Sequence, residues 1–88
     1  MYKRLEEFTA QELVERRHIQ DLLHIALVEL KHYLDKSDYN MAIFLNTTGL
    51  RLLQIMIRQN LALEDEGEML ETLRSNVINI LKLQNRLQ

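Results

Sequence analysis

Apolar positions along the chain fall into three blocks of helical periodicity, separated by two short polar breaks. The middle block, Tyr39–Leu63 (YNMAIFLNTTGLRLLQIMIRQNLAL), contains no acidic residue and a single glycine. At about 100° per residue, Met41, Ala42, Phe44, Leu45, Leu50, Leu52, Leu53, Ile55, Met56, Ile57 and Leu63 spread over roughly two thirds of its circumference. Only Thr47, Arg51, Gln54 and Arg58 gather on a narrow polar strip. A surface helix needs an apolar stripe of little more than about 100°, so this helix requires cover from more than one neighbour. Gly49 lies within the apolar arc, where it costs about 1 kcal/mol relative to alanine, and so predicts close approach of another helix.

The first block places Ile19, Leu22, Leu23, Ala26, Leu27, Leu30, Tyr33 and Leu34 on one arc of about 140°, a core face. Upstream, Thr9-Ala10-Gln11-Glu12 has the spacing of a capping box and predicts a helix from Ala10. Carried back past Ile19, the same arc meets Glu12, Glu15 and Arg16. The apolar stripe therefore fails there, and the first turns are expected to project beyond the core or to drift off its axis.

Asp35-Lys36-Ser37-Asp38 forms the first break, with Ser37 or Asp38 able to cap the next helix. The second break is the acidic run Glu64-Asp65-Glu66-Gly67-Glu68, suited to a helix N-terminus, with Asp65 and Glu68 spaced as a further capping box. Beyond it Met69, Leu70, Leu73, Val77, Ile80, Leu81 and Leu87 share one face, with Arg74, Ser75, Asn79, Lys82 and Arg86 away from it. The expected architecture is all-α: helices at about 10–35, 38–62 and 66–87 in one domain over residues 1–88. Short connections make consecutive helices antiparallel, an up-down-up three-helix bundle.

At 88 residues such a bundle has little chain with which to cover its middle helix. The expectation is burial of the spare face against a second copy, a homodimer, or against a cognate protein. The interface residues predicted are Met41, Phe44, Leu45, Gly49, Leu52, Leu53, Ile55 and Met56, with Arg51 and Arg58 as polar contacts to a partner or, in the plainer reading, to the acidic start of helix three. Met41, Met56 and Met69 read as gap-filling core.

Charge and chemistry narrow the function. Eleven Lys and Arg against thirteen Asp and Glu give a net charge of −2, unlike the basic balance of most nucleic-acid-binding domains, and Arg51 with Arg58 lacks an interleaved aromatic platform. Nucleic acid is thus not expected as a partner. The absence of cysteine excludes disulfides and thiol chemistry and suits a reducing, cytoplasmic setting. No apolar run is long enough to span a bilayer. His18, His24 and His32 are spaced by six and eight, not by the three or four that place two ligands on one helical face, so no metal and no cofactor are expected. No glycine-rich phosphate loop, nucleophile elbow or zinc motif is present, and no enzyme is expected.

Arg17 and His24, together with the tract LKHYLDKSDYNMAIFLNTTGLRLL, resemble the HEPN family of helical ribonucleases and antitoxin partners, whose signature is an arginine and a histidine separated by four to six residues. That resemblance implies RNA cleavage or a toxin–antitoxin role for the pair. In that family the pair typically begins a late helix, whereas here it lies in the first long one. The reading favoured by the residues is a small non-enzymatic interaction module, regulatory, adaptor or chaperone-like, acting through an apolar helix face; a nucleic-acid-binding regulator comes third.

Overall fold

A computed structural model describes residues 2–86 as three α-helices, α1 (Ala10–Asp35), α2 (Tyr39–Arg58) and α3 (Glu64–Arg86), preceded by a single 3₁₀ turn at Leu5–Glu7. Among the described residues no strand forms. α2 packs against both other helices, whereas the backbones of α1 and α3 do not approach each other closely. The result is elongated, with Cα extents of 49 × 20 × 15 Å.

The first two helices each begin just after a residue whose side chain takes up a free amide. Thr9 accepts from the Glu12 amide at 3.1 Å while Glu12 accepts from the Thr9 amide at 2.9 Å, so the expected capping box closes. Asp38 caps α2 by accepting from the Met41 amide at 3.3 Å. α3 starts two residues before its sequence expectation, and in place of the Asp65–Glu68 capping box only a one-way bond from a glutamate back to the residue before the helix forms. Glu66, three residues into the helix from Leu63, accepts from the Leu63 amide at 3.0 Å.

The helix ends are set by two residues in the left-handed region, Ser37 at φ 59° and Asn60 at φ 57°. After α1, the Ser37 amide bonds to Leu34 O at 3.0 Å and the Asp38 amide to Tyr33 O at 2.9 Å. After α2, the Asn60 amide bonds to Ile57 O at 3.1 Å and the Leu61 amide to Met56 O at 2.8 Å. Both are Schellman closures, which satisfy the last carbonyls of a helix and turn the chain back. This is why α2 stops at Arg58 rather than near residue 62. Leu61 and Ala62 leave the helix and enter the core, each 1% exposed.

Two buried clusters fill the bundle. One joins Phe8, Leu23, Leu53, Met56, Leu61, Ala62, Leu70 and Leu73; the other, nearer the α1–α2 turn, joins Leu30, Ala42, Leu45 and Ile80. Gly49 sits between them, and a Cβ there would meet Leu73 Cδ1 at 3.1 Å, Leu23 Cδ1 at 3.6 Å and Leu27 Cδ2 at 3.9 Å. Side chains of both neighbouring helices, not a backbone, use the space its missing side chain leaves. The core arcs of α1 and α3 are narrower than their periodicity suggests. Leu22 is 56% exposed, and Met69 and Leu81 are 37% and 43% exposed. Each sits at the edge of its arc, and a helix packed on one backbone neighbour buries only the middle. Leu87, also expected on the core face, lies outside the described residues.

The point where the apolar stripe of α1 fails is built into the fold rather than left projecting. Arg16 is buried, its guanidinium donating to Leu61 O at 2.7 Å and to the Glu66 carboxylate, with the Phe8 ring 5.8 Å away. One carboxylate thus caps α3 and neutralises the cation that ties α1 to the α2–α3 turn. The N-terminal segment lies over the same end. Lys3 pairs with Glu12 at 2.8 Å, and the Tyr2 hydroxyl occupies the space that a side chain at residue 67 would take.

Candidate interaction surface

The predicted interface residues do not share one surface. Leu45, Gly49, Leu53 and Met56 are buried inside the bundle, together with Ala42 and Asn46. Phe44 and Ile55 face outward, 62% and 40% exposed, and Met41 and Leu52 sit half-buried between the two sets. The division follows from geometry. α1 and α3 cover the inner arc of α2, and two neighbours leave the opposite arc free.

That free arc runs Met41, Phe44, Thr48, Arg51, Ile55 and Arg58, at alternating spacings of three and four. Thr48 directs its hydroxyl to Phe44 O at 2.9 Å, spending its donor within its own helix. Arg51 and Arg58 are exposed, and neither makes an ion pair among the described residues, so the expected pairing with the acidic start of α3 does not form. Since α2 contains no acidic residue, its outer face carries two uncompensated cations flanking Ile55. Exposed apolar groups also lie on the back of α1, at Val14, Ile25 and Val28, and on α3 at Ile78. Phe44 is the most exposed of all the large apolar side chains described.

The polar candidates are more dispersed. His18, His24 and His32 are all exposed, and among the described residues no group of histidine and carboxylate side chains is placed to hold a metal. Arg17 pairs with Asp21 through Nε at 3.3 Å in solvent. His24 borders an open cleft of about 270 Å³ between α1 and α3, floored by Leu23, Leu27 and Met69 and edged by Gln20, Asp65 and Glu66. Glu66 in that edge is already engaged by Arg16. No described helix is long and apolar enough to cross a membrane.

Sequence reasoning missed two buried polar residues, and each had a signal. Arg16 falls on the core arc of α1, with a glutamate available at the third position of α3. Asn46 falls on the inner arc of α2; it is 0% exposed, donates through Nδ2 to Leu73 O at 2.7 Å, and its Oδ1 has no partner. No protein-family model, curated protein or solved structure matches this chain.

Proposed function

We propose that this protein is a small non-enzymatic interaction module whose recognition element is the outer face of α2. The observation that carries the reading is Phe44, 62% exposed in the second turn of a helix whose inner arc is buried. A large aromatic facing outward, with a second apolar anchor in Ile55 and two guanidinium groups without ion pairs among the described residues, has the composition of an interface hot spot, which is enriched in aromatic residues and arginine. The same arrangement serves a regulatory, adaptor or chaperone-like protein, which acts by occupying or shielding a surface.

The test is affinity capture from the native host with wild-type protein and with Phe44→Glu and Ile55→Glu. The expected result is one or a few proteins retained by wild type and lost with both variants, whose folds stay intact because both side chains are outside the core. Retention unchanged in both variants would remove α2 from the reading. RNA cleavage by wild type that disappears in His24→Ala would replace it with the HEPN-like one.

A further inference from the structure

We propose that a second copy of this chain covers the outer face of α2, with the two α2 helices antiparallel about a two-fold axis between Thr48 and Arg51. This rests on reading that face as an interaction surface, and it names the occupant. The spacing of the free arc is the seven-residue repeat on which paired helices interdigitate. Paired antiparallel, with positions that sum to 99, the seam is self-complementary. Phe44 of each copy packs on Ile55 of the other, Thr48 faces Arg51, and Arg58 comes beside Met41, within reach of the Asp38 carboxylate at the start of the opposite helix.

Charge selects this direction. A parallel pair would stack Arg51 on Arg51 and Arg58 on Arg58, two like-charged layers on a helix without a carboxylate to relieve them. The antiparallel pair sets the Arg58 end of one α2 against the Asp38 end of the other and opposes the two macrodipoles. The flanking positions on the α3 side, Asn40, Thr47 and Gln54, are uncharged and repel nothing. The remaining cost is the two Arg51 side chains, which lie diagonally across the axis.

The absence of cysteine from the chain makes the geometry directly readable. Phe44→Cys and Ile55→Cys are prepared separately and oxidised mildly at micromolar concentration, alone and mixed. In the antiparallel pair residues 44 and 55 face each other, whereas two copies of residue 44 lie about 16 Å apart along the axis, eleven residues at 1.5 Å each. The mixture is expected to yield cross-linked dimer at least tenfold faster than either variant alone. Sedimentation equilibrium should show wild type approaching twice the monomer mass of 10.5 kDa, Phe44→Glu weakening the dimer about thirtyfold or more, as loss of an interface anchor does, and Arg51→Leu tightening it. Faster cross-linking within either single variant would overturn the antiparallel seam. A monomer at every accessible concentration would overturn the second copy as occupant, while loss of a host protein by Phe44→Glu in the capture experiment would still support α2 as the surface for a different chain. A dimer weakened by Arg51→Leu would mean that Arg51 grips a carboxylate, which this seam does not offer, and would overturn it too.

Discussion

Gly49 is buried because its missing side chain makes room for Leu23, Leu27 and Leu73 from both neighbouring helices. Gly49→Leu would drive a four-carbon side chain into that space and is expected to destabilise the fold by about 1–3 kcal/mol, despite the higher helix propensity of leucine. A denaturant midpoint unchanged or raised relative to wild type would contradict the packing. Asn46 has the opposite sign. Its unpartnered Oδ1 carries a desolvation penalty, and leucine has nearly the same branched shape, so Asn46→Leu is expected to stabilise by about 1–2 kcal/mol in the same melts. Glu12 supplies the pH dependence. The Lys3 ammonium, assisted by the Thr9 backbone amide, lowers its pKa from 4.5 to about 2. A lowered value means that the contribution is fully present above the unfolded value near 4.5 and is lost as pH falls towards 2. A carboxyl NMR titration should place the Glu12 midpoint near 2, and Lys3→Ala should raise it.

At the scale of elements, the three helices owe their boundaries to short-range chemistry and their mutual placement to the two apolar clusters, pinned at a few points by long-range polar contacts. Arg16 and Glu66 join α1, the α2–α3 turn and the first turn of α3 in a single buried arrangement. Arg16→Ala leaves a buried carboxylate without its cation and is expected to cost about 3–5 kcal/mol, most of it the penalty of that stranded charge. Adding Glu66→Gln should recover part of the loss, because glutamine still accepts from the Leu63 amide without carrying a charge. Unfolding curves of the single and double variants measure this, and equal midpoints for the two would show that charge burial is not the cause. At the far end, Gln84 donates to Asn40 at 2.7 Å and brings the end of α3 against the start of α2.

For the molecule as a whole, α2 is the helix around which the others are arranged, since only its backbone lies against both neighbours. Native-state hydrogen exchange should therefore be slowest for the amides from Leu45 to Met56, and faster in the first turns of α1 and beyond Ile80 of α3, because opening the middle helix dismantles both interfaces and opening an outer one only its own. Equal protection in all three helices would argue against this hierarchy. The same centrality leaves one arc of α2 outside, so the element holding the core together is also the one offering Phe44 and Ile55 to a partner.

What the amino-acid order determined by itself was local. Thr9 with Glu12, the apolar periodicities, the break at Asp35–Asp38 and the unusual breadth of the middle helix depend on residues a turn or two apart, and these suffice to define three helices and an excess of apolar surface on the second. The end of α2 was also a local event, but Asn60 in the left-handed region carries a weaker signal than a glycine would. Only the tertiary structure decided how the apolar circumference of α2 is divided. Leu45, Leu53 and Met56 go inside while Phe44 and Ile55 stay out because that choice depends on the directions from which α1 and α3 approach, and helical periodicity gives the width of an apolar arc, not the position of its neighbours. The roles of Arg16 and Asn46 were likewise decided by contacts spanning 50 and 27 residues, to Glu66 and Leu73. A polar side chain is buried or stranded according to whether the fold delivers a partner to it, and these partners lie on another helix.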